Sequence, residues 1–442
     1  MMNFDVTAVE VVTREFVAVI LAGFGNELHP LTGEHGDVPC PKALLPISNK
    51  PMLDYPLSWV EQSGIKDVLL ICPSSHRPAI SHYIHSQSSS ASFSSVHIDL
   101  QTFDESQELS AGTCSVLRHF ANRIKEDFIL IPCDFIPPPS LPLSKLLNKF
   151  RTDTMSDGSI VTSCWYEHKL DKQTTPDEWG SPAKPTPIVW DHLSGTLLYV
   201  DSPHEAVKNS DELELRMTLL SRYPQAKLSS RLLDSHVYVC KRAMLDLLAQ
   251  KTRFDSLRED FFPWLCKLQY QSTKQEKYAT SIRIGVIIHR ADDGFAIRVN
   301  NLPAYLEANR HIITENEIHQ FVADTSIGDF TRVEEKSTIK KSTIGKHCVI
   351  GKMVKIVGCV LLDHCVISDG TKLDGCILGN STTVGSKAEL TRCVTQAGYE
   401  VKDNESVQHE KLDISDWAAQ PEDSEGDIED STGEEGSDED ED

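Results

Sequence analysis

The chain predicts an α/β protein in two parts, a Rossmann-like domain with a mostly parallel sheet followed by a left-handed parallel β-helix of hexapeptide repeats. Two observations carry this expectation. Over the first two thirds, continuous apolar runs alternate with amphipathic stretches; over the last quarter, aliphatic residues recur every 17 positions. On this reading residues 14–310 form the α/β domain, 321–402 the β-helix and 410–442 a disordered acidic tail.

Taken in order, Val17 to Leu21 is an unbroken apolar strand followed by a Gly-containing loop, and Met52, Leu53, Leu57 and Val60 then share one helical face. Asp67 to Cys72 is the next buried strand. A helix from near Ser74, a strand at Val96 to Leu100, a helix at Gly112 to Ile124 and a strand at Phe128 to Ile131 continue the alternation. Strands that read as unbroken apolar runs are covered on both faces, which is the arrangement of parallel sheets with crossover helices. Ser86 to Ser95 is a surface loop by composition.

The repeat has three aliphatic tracks: Ile327, Ile344, Leu361 and Leu378; Val333, Ile350, Ile367, Val384 and Val401; Ile339, Ile356, Leu373 and Leu390. Within one beat the apolar positions fall six, six and five apart, as a triangular coil needs if one inward side chain is to fill each side. Gly328, Gly345 and Gly379 follow the lead aliphatic, where the corner turn favours a residue without Cβ; Leu362 breaks the pattern. Ser342, Cys359, Cys376 and Cys393 share a column and read as a buried ladder of small side chains, without the close spacing of zinc ligands. Asp329, Lys346 and Asp363 form one charged column and Glu335, Lys352 and Asp369 another. Alternating signs on coils about 4.8 Å apart predict cross-strand ion pairs of about 0.2–1 kcal/mol each, so no nucleic-acid surface is required. The coil has two open ends. One is expected to be covered by Tyr305 to Ile318; the other, near Val394 to Val401, is either a partner surface or capped by Tyr399.

A chain of 442 residues with 40% hydrophobic content buries at least two cores. Twelve scattered cysteines, an acidic N-terminus and no apolar run of spanning length predict a reduced cytosolic protein that does not enter a membrane. Of the net charge of −23, residues 421–442 contribute 13 carboxylates and no Lys or Arg, which places Ser424, Ser431, Thr432 and Ser437 in contexts that an acid-directed kinase reads; a purely solubilising tail is the alternative.

Ligands of such sheets bind at the carboxyl ends of the strands. Two elements fall there, the loop Ala22-Gly23-Phe24-Gly25-Asn26-Glu27-Leu28 and the pair Cys133-Asp134. Separately they read as a turn and a helix cap. Together with Pro30-Leu31-Thr32, Pro41-Lys42-Ala43-Leu44-Leu45-Pro46-Ile47 and Asn49-Lys50-Pro51-Met52-Leu53, they make the chain resemble the sugar-phosphate nucleotidyltransferases. That resemblance implies a triphosphate loop of the form Gly-Gly-x-Gly-Thr-Arg-Leu, a phosphate-neutralising Lys and a magnesium-holding Asp. Lys42 and Asp134 match the last two, and Asp134 is the one metal ligand the resemblance offers. Asp234 reads either as a second metal acid or as a turn residue. The loop departs: Ala22 stands at the first glycine, Asn26 at the threonine and Glu27 at the arginine, leaving Gly23 and Gly25. A carboxylate in place of a guanidinium exchanges about 4 kcal/mol of attraction for a similar repulsion, at about 4 Å and an effective dielectric near 20. A Glu27 turned to solvent loses the attraction alone. Both cases predict no working nucleotidyltransferase, no catalytic residues and no cofactor; an active pyrophosphorylase, or a sensor that binds nucleotide through Gly23, Gly25, Lys42 and Asp134, are the alternatives.

Gly112-Thr113-Cys114-Ser115-Val116-Leu117-Arg118, Asp234-Ser235-His236-Val237-Tyr238, Tyr305-Leu306-Glu307-Ala308-Asn309-Arg310 and the coil Ser337-Thr338-Ile339-Lys340-Lys341-Ser342-Thr343-Ile344-Gly345 resemble the gamma subunits of eukaryotic translation initiation factor 2B over about Phe16 to Val401. The resemblance implies a part in guanine-nucleotide exchange. The partners it implies are the epsilon subunit, with which such subunits form the catalytic subcomplex, the other subunits of the assembly, and the GTPase initiation factor 2, which the assembly reloads with GTP. In that family the exchange residues lie in a C-terminal helical domain of epsilon, whereas this chain has an acidic run there, so its expected contribution is binding. His347 and His364, stacked in the repeat, suggest a hexapeptide acyltransferase or, more simply, two solvated histidines.

Overall fold

The computed structural model describes residues 15–33, 39–88, 95–103, 112–168, 179–180, 185–201, 217–269, 282–315 and 325–413. The middle of the Ser-rich loop and the acidic tail with its four hydroxyl residues lie outside them; the part of that stretch before Ser88 closes the helix Arg77–Ser88.

A ten-stranded sheet forms the first part, in the order Ala226–Ser229, Ile188–Asp191, Thr196–Val200, Ile284–His289, Val161–Glu167, Leu232–Cys240, Asp127–Pro132, Phe16–Leu21, Asp67–Pro73, His97–Phe103. Leu232–Cys240, Thr196–Val200 and Ala226–Ser229 run against the rest, and the four strands on the N-terminal side are all parallel. The apolar runs are unbroken because both faces are buried. Val19, Leu69 and Leu130 enter one core, while Ala18, Ile20, Val68, Leu70 and Ile131 enter the other.

The last part is a three-sided parallel coil whose strands pair in a strict register of one beat, Ile327 with Ile344, Ile350 with Ile367, Ile356 with Leu373. The three tracks fill its interior, apart from Val333, which is 42% exposed on the first coil. Each buried Ile or Leu contributes about 1.5–3 kcal/mol, so the stack of aliphatics, not any local propensity, holds these two- and three-residue strands. Strands continue at Ser406–Gln408 and Lys411–Leu412, past the expected end at 402 and into the residues assigned to the tail. The lead track is interrupted at Thr395, a buried polar residue whose hydroxyl accepts from the Gly379 N–H at 3.0 Å.

Two expectations for the corners are corrected. At this corner Phe330, His347, His364 and Ser381 are left-handed, with φ of 61°, 55°, 61° and 56°, and Gly328, Gly345 and Gly379 are not. Gly345 is required by close approach instead, since a Cβ there would lie 2.6 Å from the Leu362 carbonyl carbon of the next coil. Gly345→Ala is therefore expected to destabilise by about 1–3 kcal/mol, read as a lower urea midpoint. The charged columns stack as expected, but Asp363 and Asp369 accept backbone N–H bonds from Lys346 and Lys352, each at 2.7 Å. The ion pairs seen on this surface are Lys372–Glu389 at 2.6 Å and Lys352–Glu334 at 3.8 Å. In the cysteine column, the Cys359 N–H donates to Ser342 and the Cys376 N–H to the Cys359 sulfur.

The helix Leu302–Glu315 lies between the two parts, and residues 316–318 of the expected end cap fall outside the described residues. It covers a side of the coil instead of its end. Leu302, Tyr305 and Leu306 meet Leu45, Ile47 and Met52 on one side and Val360, Leu362 and Ile377 on the other. Leu362, the exception among the glycines, is thus spent on this junction. Polar bonds fix the docking: Ser48 N–H to Asn309 at 2.9 Å, Asn49 Nδ2 to the Ile344 carbonyl at 3.1 Å, and Arg310 to the Gly358 carbonyl at 3.0 Å.

Candidate functional site

The first strand and Asp127–Pro132 are neighbours, with Leu21 opposite Pro132, so the Gly loop and Asp134 emerge side by side at the carboxyl edge. The Cys133 N–H donates to the Leu21 carbonyl at 3.0 Å and the Ala22 N–H to the Ile71 carbonyl at 2.9 Å, fixing both turns to the sheet. Gly25 is left-handed, φ 82°, and a Cβ there would lie 2.8 Å from Cβ of Lys42, so loop and lysine are in direct contact. Gly23 meets nothing within 4 Å of a built Cβ. Glu27, in the short 3-10 turn Asn26–Leu28, is exposed, which is the solvent-facing case: residues 22–28 carry no cation, and their one carboxylate is not buried beside Asp134.

The structure thus brings Gly23, Gly25, Lys42 and Asp134 together and leaves Glu27 on the rim. It also adds residues with no signal in the sequence. Lys42 Nζ donates to one carboxylate oxygen of Asp134 and, at 2.6 Å, to Asn300; Arg298 Nε donates to the other Asp134 oxygen at 3.0 Å. Lys42 and Asp134 are both buried. Burial alone would push the Asp134 carboxyl up, yet Arg298 and Lys42 outweigh it and hold the group well below the usual carboxylate range. Asp234, on the neighbouring strand, faces Arg258 at 3.3 Å and accepts from the Tyr238 hydroxyl at 2.6 Å. Here burial prevails and raises the carboxyl. His236, between them in sequence at an interruption of the strand pairing, has φ 57°; burial, then Arg298, push its ring well down from its ordinary value.

Magnesium wants several oxygen ligands in an octahedral shell. These residues do not fit it, because both oxygens of Asp134 already bind cations and Lys42, Arg258 and Arg298 outnumber Asp134 and Asp234. A divalent ion would enter a site that already carries excess positive charge. Among the described residues there is no group of three or more His, Cys, Asp or Glu placed to hold a metal. His347 and His364 stack face to face at 5.1 Å on an exposed corner beside Phe330. No helix among the described residues is long and apolar enough to cross a membrane.

Two family models match the chain: one described as nucleotidyl transferase over residues 17–171, and one described as the EIF2B subunit epsilon LbH domain over residues 304–407. The translation initiation factor eIF2B subunit gamma of Schizosaccharomyces pombe is 33% identical over 358 residues, 74% of each chain. The eIF2B subunit epsilon of Dictyostelium discoideum is 25% identical over 350 residues, 78% of this chain but 44% of that protein. A glucose-1-phosphate thymidylyltransferase of Mycolicibacterium smegmatis is 39% identical over 61 residues, which is 14% of this chain and 19% of the enzyme.

Proposed function

Because the chain belongs to the family of translation initiation factor eIF2B gamma subunits, we propose that it works within the guanine-nucleotide exchange assembly by binding, pairing with an epsilon-type subunit and helping to dock the GTPase initiation factor 2. Its place in a multi-subunit exchange factor follows from the family; the absence of nucleotidyltransferase chemistry is the finer step. The observation that carries this step is the closed triad of Lys42, Asp134 and Arg298, which neutralises within the fold the acid that a working relative would keep for metal. The exposed position of Glu27 supports the same reading by leaving the loop without its cation. Gly23, Gly25, Glu27, Lys42 and Asp134 are on this reading a vestigial pocket. An α/β domain at 14–310 and a β-helix from 321 are proposed as the working units, with the β-helix extended to Leu412 by its last strands and the acidic tail after it. A cytosolic location is proposed from the twelve free cysteines.

The test is capture of the tagged full chain from cells. A stoichiometric, larger subunit with the same two-part plan is expected, and the pair is expected to accelerate GDP release from initiation factor 2 while the chain alone does not. Recovery of the chain as a lone monomer would overturn the assignment.

A further inference from the structure

Charge is unevenly spread along the β-helix. Residues 326–358 carry seven Lys and Arg against three Asp and Glu, whereas 359–413 carry five against nine. The excess cations of the first two coils converge on one side. Lys340 and Lys355 project outward from stacked strands, and Lys336 and Lys341 occupy the left-handed corners that bound the same side, at φ 64° and 49°. All four are exposed, and none has an ion-pair partner among the described residues. The register also sets Lys355 directly opposite Lys372, whose ion pair with Glu389 at 2.6 Å leaves Lys355 to take an anion of its own.

The chain carries such an anion. Beyond Asp413, which follows the last strand at the carboxylate-rich end, residues 421–442 hold 13 Asp and Glu and no cation. We infer that the acidic tail folds back along the β-helix and occupies the face formed by Lys336, Lys340, Lys341 and Lys355. The reach is sufficient: the nine residues from Asp413 to Glu422 span up to about 30 Å when extended, against roughly 24 Å for five steps of about 4.8 Å along the stack. Attachment to the same chain keeps the tail at an effective concentration on the order of millimolar. Its attraction is screened over about 8 Å at physiological ionic strength, so the contact is weak enough to yield to a competing acidic surface. This inference uses the charges and geometry of the chain alone and stands apart from the family assignment.

The test is zero-length carbodiimide coupling of carboxylates to lysines in the dilute full chain, mapped by mass spectrometry at about 0.05 M and about 0.5 M salt. Coupling from the tail carboxylates is expected to concentrate on the four lysines, at least about fivefold above the exposed Lys227 and Lys267 of the α/β domain, and to fall to that background at high salt. The fourfold reversal K336E/K340E/K341E/K355E is expected to abolish it, and K227E/K267E to leave it intact. Should the fourfold variant fail to fold, the salt series on the natural chain decides. Even coupling over all exposed lysines would overturn the inference. So would coupling only between labelled and unlabelled copies, or a face that retains nuclease-sensitive nucleic acid while the tail couples elsewhere.

Discussion

Asp134→Asn is expected to destabilise the α/β domain by about 3–5 kcal/mol, because it strips the counterion from between a buried lysine and a partly buried arginine. For a domain of this size that corresponds to a fall in the melting temperature on the order of 10 °C. Lys42 cannot follow water outward, since it sits under Gly25 and bonds Asn300, while Arg298 keeps 25% of its side chain exposed and its backbone N–H is tied to the Tyr166 hydroxyl. The pH dependence has a definite sign. The folded Asp134 carboxyl is depressed, so its contribution is complete above the unfolded value near 4 and is lost as pH falls through the folded value. The gap between natural chain and variant should be constant from about pH 5 to pH 8 and close only in acid. Asp234 behaves oppositely. Its carboxyl is raised by burial, so its contribution is greatest at low pH and declines as pH rises through the folded value. Asp234→Asn should accordingly cost less at neutral pH than Asp134→Asn. Equal losses for the two variants would contradict this account of the crevice.

The second large effect is expected at the junction. Tyr305 is fully buried, its ring lies among Leu45, Ile47 and Leu362, and its hydroxyl donates to the Pro46 carbonyl. Tyr305→Ala should cost about 3–5 kcal/mol through lost burial and the cavity left behind. Because that loss falls on the contact between the two parts, thermal unfolding should split into two transitions, with proteolytic cleavage appearing near the helix Leu302–Glu315. Tyr305→Phe keeps the ring and should lose only about 0.5–1.5 kcal/mol for the hydrogen bond. A single transition at the natural midpoint in the alanine variant would show that the helix does not couple the parts.

How much was legible in the sequence depended on whether a contact repeats. The coil could be read to Val401 because each inward position recurs at a fixed spacing and favours an aliphatic side chain; only the lead track ended earlier, at Thr395, which uses a hydrogen bond in place of apolar burial. The parallel half of the sheet was legible from Val17 to Leu21 and its neighbours, whose double-sided burial leaves no polar interruption. Corner geometry was misplaced because glycine serves two needs, positive φ and close approach, that sequence does not separate; Gly345 serves the second. In the crevice, Lys42 and Asp134 lie in recognisable local motifs. Arg298 and Arg258 do not. Arg298 meets Asp134 across 164 positions of chain from an ordinary two-residue strand, Ile297–Arg298, and Arg258 reaches Asp234 from the short helical turn Leu257–Phe261. Single contacts of that kind carry no period and no spacing. They nevertheless decide the reading of the site, since they convert a pair of candidate metal acids into internal counterions.

The most direct measurement of that claim is pyrophosphate release by the pure natural chain, and by its complex with the captured partner, incubated with nucleoside triphosphates, sugar 1-phosphates and magnesium. With Asp134 held between Lys42 and Arg298, no release above the protein-free background is expected. Steady release that depends on magnesium and disappears in Asp134→Asn would contradict it.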